Sequence, residues 1–167
     1  ATINILDRNG YLPLYHSVFN DHISVVQTLI RHGAAVNHRK SDRSTPLYCA
    51  VQHSNVDIVR ALLEAKADPD IQYQGWTPLF QACRNDNPLI IGLLLEAGAN
   101  INTPSREKLS PLQYSILNDK AAAAKELIAR GASLEMTDSQ GWTTLHAAAF
   151  KGNRGIIKLL LESGCSI

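Results

Sequence analysis

The chain has 167 residues, of which 45% are hydrophobic and 19% charged, a balance that supports one domain with a real core and excludes a disordered chain. Sixteen Lys and Arg residues against fifteen Asp and Glu leave a net charge of +1. Bulk electrostatics therefore argue against nucleic acid, an anionic membrane or a polyanionic substrate as the partner.

The expected elements come in pairs. The first pair opens at Leu12-Pro13-Leu14-Tyr15, where proline suits the first helical position because its missing N–H would have had no partner there. A polar break, Asn20-Asp21-His22, leads into a second helix with the stripe Val25, Val26, Leu29 and Ile30, closed by Gly33. The second pair starts at Thr45-Pro46-Leu47-Tyr48, carries Ile58, Val59, Leu62 and Leu63, and ends at Lys66 where the other units have glycine. The third starts at Thr77-Pro78-Leu79-Phe80 and continues through the small residues Ala82 and Cys83. After Asn85-Asp86-Asn87 it repeats the cap-then-proline logic at Asn87-Pro88, before Ile90, Ile91, Leu94, Leu95 and Gly98. The fourth runs from Ser110-Pro111-Leu112-Gln113 through Ala121–Ala124 to Gly131. The fifth runs from Thr143-Thr144-Leu145-His146 through Lys151-Gly152-Asn153 and an apolar helix, Ile156 to Leu161, to Gly164.

Thr or Ser before proline can accept from a free backbone N–H. The i, i+3, i+4 spacing of the bulky residues puts each stripe on one helical face. Glycine at the helix end suits a left-handed residue. Extended stretches such as Ala99-Asn100-Ile101-Asn102 lead to turns at Gly10, Gly75 or Gly141. The second position of each start falls at Pro13, Pro46, Pro78, Pro111 and Thr144, at intervals of 33, 32, 33 and 33. A unit this small cannot bury both faces, so neighbours must stack.

Gly75-Trp76-Thr77-Pro78-Leu79, Leu93 to Asn102 and Gly141 to Ala149 resemble the ankyrin-repeat consensus in register over essentially the whole chain. The resemblance implies an all-α ankyrin-repeat solenoid of about five helix–turn–helix repeats with protruding hairpin loops. The repeats would span about 7–39, 40–71, 72–104, 105–137 and 138–167, and both ends read as cut from a longer array or multidomain protein. Departures from the consensus include Leu12 in place of the capping Thr, Arg43 and Lys108 at turn-glycine positions, and a hairpin around Pro69 to Gln74 that is one residue short. The alanines of the fourth repeat predict that Ser105 to Thr137 is the weakest packed unit, because fewer methylenes are buried.

The same resemblance implies a protein-binding role through a concave surface made by the hairpin fingers and the first helix of each pair. Its register puts Tyr11, Asp42, Tyr73, Trp76, Arg106, Leu109 and Trp142 on the fingers. Phe19, Arg84, Leu117, Phe150 and Lys151 fall at the exposed ends of first helices. Aromatic side chains beside Arg and Lys are what interface hot spots contain, so the partner-binding set is Tyr11, Phe19, Tyr73, Trp76, Arg84, Arg106, Leu109, Leu117, Trp142, Phe150 and Lys151. The bland alternative is that a Trp after the turn glycine packs on the next finger. Asn37 and Asn102, each with a Leu eight residues earlier, resemble ankyrin positions hydroxylated by an asparaginyl hydroxylase; the alternative is an Asn bonded to its own turn.

No GxxxxGK[ST], GxSxG or HExxH motif occurs, so neither an enzyme nor a cofactor is expected. Four of the six histidines, His16, His22, His32 and His38, lack i, i+4 spacing, and no metal site is expected. Cys49 and Cys83 take small-residue positions inside first helices, where packing explains them. Three cysteines without CxxC spacing, no glycosylation sequon and no signal-peptide start point to the cytoplasm, with the nucleus second. The longest apolar stretch, about Leu89 to Leu95, is far short of the ~20 residues of a membrane span. The expectation is a monomeric scaffold or adaptor that binds a protein or peptide. The alternative is a regulatory domain of a larger enzyme or channel.

Overall fold

The computed structural model describes residues 2–39 and 44–166; Asp42 and Arg43, singled out above, lie outside the described residues. Among the described residues ten helices follow in pairs. The first members are α1 (Pro13–Phe19), α3 (Pro46–Gln52), α5 (Pro78–Arg84), α7 (Pro111–Leu117) and α9 (Thr144–Phe150). The second members are α2 (Ile23–Arg31), α4 (Val56–Glu64), α6 (Pro88–Glu96), α8 (Ala121–Ala129) and α10 (Arg154–Glu162). Each first helix packs on its own partner and on the first helices beside it, and second helices stack likewise, so the array has two helical layers.

Capping explains where the helices begin. Thr45 Oγ1 accepts from Tyr48 N–H at 3.1 Å, Thr77 Oγ1 from Phe80 N–H at 3.2 Å and Ser110 Oγ from Gln113 N–H at 3.1 Å. Gln113 closes a capping box by accepting from Ser110 N–H at 3.0 Å. Leu12 offers no side-chain cap, as its chemistry requires. Asn55, Asn87 and Asn153 cap α4, α6 and α10.

Every helix ends in the same left-handed device. Second helices end on Gly33, Lys66, Gly98, Gly131 and Gly164, all with positive φ. The following N–H bonds back into the last turn, as Ala67 does to Leu62 O at 2.9 Å. First helices end on Asp21, Ser54, Asp86, Asp119 and Gly152, also at positive φ. Asp, like Asn, tolerates this region better than most side chains.

Leu62, Leu94, Leu127 and Leu160 repeat through the second-helix layer with no exposure, and Leu14, Leu47, Leu79 and Leu112 line the first-helix layer. Each such burial contributes roughly 1.5–3 kcal/mol over an exposed side chain. The expectation for the fourth repeat needs correction. Helix α8 buries Ala123, Ala124, Leu127 and Ile128 and is covered as fully as α6, whereas α2 buries Val26 alone. Alanine reduces the buried area there without opening the packing.

The short hairpin has a physical consequence. At the other described hairpins a five-residue closure is used: Asp7 N–H to Tyr11 O, Ser105 N–H to Leu109 O, Asp138 N–H to Trp142 O. Tyr73 and Trp76 instead exchange both hydrogen bonds at 2.9 Å across Gln74 and Gly75, whose φ values are 51° and 85°. Losing one residue converts the loop to a two-residue turn of the I′ kind.

Candidate functional site

The first helices stack side by side with the described hairpins leading into them, and three groups of rings lie along these elements. In the first group Tyr11 sits 5.0 Å from Tyr15 and 5.2 Å from His16, and Phe19 sits 5.4 Å from His53 of the next repeat. Tyr11, Tyr15, His16 and Phe19 line a notch of about 260 Å³. Asp7 shapes this end: its carboxylate accepts from Asn9 and Tyr11 N–H and pairs with His16 Nε2 at 2.8 Å. These bonds, the Tyr11 N–H first, hold the Asp7 carboxyl below its ordinary pKa.

In the central group Tyr73 stacks 4.9 Å from Tyr48. Trp76 meets Phe80 edge-on at 4.7 Å and Tyr114 of the next repeat at 5.7 Å. Trp76 is half-buried, and its ring contacts are with first-helix rings of its own and the next repeat. Arg84 lies 5.6 Å over that ring. In the third group Trp142 and Phe150 are 5.3 Å apart, and Gln113 Nε2 donates to Trp142 O at 2.6 Å.

The expected residues do not all stand alike. Phe19 and Phe150 are 56% and 71% exposed, a large area of apolar ring left in water. Leu109 is half-buried. Leu117 is half-buried against the core, which makes it partly a packing residue. Lys151 is engaged by Asp119 at 2.5 Å. Arg106 lies across Gly75, where an added β-carbon would come within 2.5 Å of its Cγ.

Asn37 and Asn102 do something sequence reasoning missed. Among the described residues Asn37 bonds to the next repeat: it accepts from Asp68 N–H at 2.8 Å and donates to Lys66 O at 3.2 Å. Asn102 accepts from Ser133 N–H at 2.9 Å. Asn4, Asp70 and Glu135 make the same link to Ala35, Asn100 and Ser166. A polar acceptor recurring at the repeat period was the available signal.

Among the described residues no three His, Cys, Asp or Glu side chains are placed to hold a metal ion. Burial pushes the Cys83 thiol up to about 12, which leaves it protonated and a poor nucleophile at neutral pH.

A family model described as ankyrin repeats in three copies matches residues 14–105 and again 79–167. The chain belongs to the ankyrin-repeat family. Ankyrin repeats are protein-binding units, and domains built from them are typically non-catalytic. Among relatives of this ankyrin array is the transient receptor potential cation channel subfamily A member 1 homolog of Caenorhabditis elegans. It is 29% identical over 171 residues, covering 99% of this chain and 14% of that protein. Inversin of Mus musculus is 30% identical over 146 residues, covering 86% of this chain and 14% of inversin. Ankyrin repeat and SOCS box protein 3 of Bos taurus is 29% identical over 149 residues, covering 86% of this chain and 28% of that protein. The chain therefore spans a small part of the relatives it matches. No helix among the described residues is long and apolar enough to cross a membrane.

Proposed function

We propose that this ankyrin domain is a monomeric interaction module that binds a protein or peptide segment through the face formed by its hairpins and first helices. The observation that carries the reading is the exposed ring surface at both ends of that face, Phe19 and Phe150, joined by the Trp76–Arg84 pair between them. Rigid aromatic side chains bring large contact area with little rotamer entropy to lose, and guanidinium groups add directional bonds. The residues of this surface are Tyr11, Phe19, Tyr73, Trp76, Arg84, Arg106, Leu109 and Leu117, with Trp142, Phe150 and Lys151. No cofactor and no nucleic acid enters the proposal, and its setting is the cytoplasm or nucleus, for which the odd cysteine count argues. The same face serves equally if the domain regulates a larger protein, a second reading favoured by the match to a channel homolog.

Affinity capture from lysate tests this with the wild-type chain beside a Tyr11→Ala, Trp76→Ala, Trp142→Ala variant whose fold is verified by circular dichroism. Partners lost by the folded variant support the concave face; equal recovery moves the interface elsewhere. Hydroxylation of Asn37 and Asn102 belongs to the same proposal, supported by their hairpin position. Intact-mass analysis of cell-derived protein without a +16 species would argue against it.

A further inference from the structure

In the third of the five repeats, on the hairpin and first-helix face, the fold holds a cation in place. Arg84 is exposed, stacks 5.6 Å over the Trp76 ring, and donates from Nη1 to Gln81 Oε1 at 3.2 Å. Gln81 is buried. Its Oε1 also accepts from the Tyr48 hydroxyl at 3.1 Å, and its Nε2 donates to Asn85 Oδ1 at 2.9 Å. Asn85 in turn donates to Val51 O at 2.8 Å and to Ser54 Oγ at 2.9 Å in the preceding repeat. A chain of polar bonds across two repeats thus ends at one guanidinium.

That guanidinium has five N–H donors, of which one is engaged among the described residues. Its neighbours, an amide and a ring, do not neutralise its charge. Lys151 is matched by Asp119, Arg130 by Glu96 and Glu126, and Lys158 by Glu162. Arg60, Lys125 and Arg154 also enter no ion pair among the described residues; what sets Arg84 apart from them is its place over the Trp76 ring and its bond to buried Gln81. Among the described residues Arg84 enters no ion pair, nor does Arg106 on the following finger.

We propose that Arg84 is the anchor for a carboxylate: the ligand is an acidic peptide segment whose Asp or Glu side chain meets Arg84. An adjacent aromatic or aliphatic side chain of that peptide lies against the half-buried rings of Trp76 and Tyr114. The inference rests on the concave-face reading above. A planar fork already held by Gln81 and Trp76 loses little freedom on binding and matches a carboxylate through two parallel bonds. The ring beneath excludes water from one side, so the attraction is less screened than at an open surface. One guanidinium balances one carboxylate. A dianionic phosphate would leave excess negative charge beside the electron-rich ring face, which disfavours it.

A short random-peptide phage library selected on the immobilised wild-type chain tests this. An enriched sequence is made with a fluorescein label and measured by anisotropy against wild type, Arg84→Gln and Trp76→Ala, each checked for folding by circular dichroism. The expected peptides carry Asp or Glu beside a large apolar residue, and Arg84→Gln weakens binding by roughly tenfold or more. Changing that peptide acid to its amide weakens wild type by the same factor and leaves Arg84→Gln unaffected. If Trp76→Ala weakens the peptide while Arg84→Gln and the acid-to-amide change do not, the carboxylate anchor is wrong and the concave-face reading stands. If both variants bind as wild type does, both readings fall. A peptide that binds with phosphoserine but not with Asp or Glu at that position overturns the carboxylate as the recognised group.

Discussion

Asn37 Oδ1 accepts the main-chain N–H of Asp68 at 2.8 Å, and Asn37 Nδ2 donates to Lys66 O at 3.2 Å, so one side chain bridges the edge of its own repeat to the next. Asn102 and Ser133 repeat the link at 2.9 Å. Stacked repeats depend on such interface terms, because each touches only its neighbours. Asn37→Ala removes two bonds at an exposed position, and the expected loss is about 1 kcal/mol, roughly 2–4 °C in Tm. Thermal unfolding of the variant within experimental error of wild type would show that water replaces both bonds at no cost.

Gly75 answers to two constraints at once. Its φ is 85°, and a β-carbon would meet Arg106 Cγ and Nε at 2.5 Å. Gly141 has φ 80° with nothing within 4 Å, so it answers to the backbone alone. Gly141→Ala should cost about 1 kcal/mol from strain. Gly75→Ala should cost more, and Arg106→Ala in that background should recover the difference. Equal losses in urea titrations of the two alanine variants would remove Arg106 from the account.

Lys66 holds a left-handed residue, φ 65°, where four other second helices have glycine. Its backbone still closes the helix, through Lys66 N–H to Leu63 O and Ala67 N–H to Leu62 O. Lys66→Gly keeps these bonds and relieves the strain, so stability should rise by about 0.5–1 kcal/mol. A lower denaturation midpoint would mean that the lysine side chain contributes more than its backbone costs.

The periodic parts of this architecture were legible because they repeat. Proline with its hydroxyl cap, the leucine stripes and the terminal glycines of second helices each recur near every 33 residues, and each has a local cause. Three things were not legible, for a shared reason. The left-handed Asp21, Ser54, Asp86 and Asp119 are not glycines, and nothing local announces their φ. The bonds of Asn37 and Asn102 reach the next repeat, so only the stacked geometry shows their partners. Gln81 reads as one polar residue in a short helix, and its role in fixing Arg84 emerges only when Tyr48 arrives from the preceding repeat and Asn85, at the end of its own helix, reaches back to Val51 and Ser54.

Acid should loosen the first hairpin. Asp7 accepts Tyr11 N–H and Asn9 N–H and pairs with His16, and these bonds lower its pKa below the ordinary 3.8. A carboxyl whose folded pKa is depressed contributes stability that is fully present above the unfolded pKa. That contribution is lost as pH falls through the folded value. The contribution should therefore be constant through neutral pH and disappear below about pH 4. Side-chain NMR titration should place the Asp7 midpoint below 3.8, and His16→Ala should raise it. A midpoint at or above the ordinary value would break the link between this carboxylate and the turn.

Cys83 should be chemically silent in the folded protein. It has no exposed surface, and desolvation is the main cause that pushes its thiol up to about 12. At pH 8 the thiolate fraction would be on the order of one part in ten thousand, and only the thiolate attacks an aromatic disulfide reagent. Access fails as well, since α5 is covered by the helices on either side. Native protein treated with such a reagent should leave Cys83 unmodified for as long as the fold persists. Denaturant should release a rapid reaction at that residue, identifiable by peptide mass mapping. Because opening must precede attack, the native-state rate reports how often the central repeats separate. Destabilising the interface between the first and second repeats with Asn37→Ala should leave that rate nearly unchanged if the third repeat opens alone, and raise it if the repeats open together.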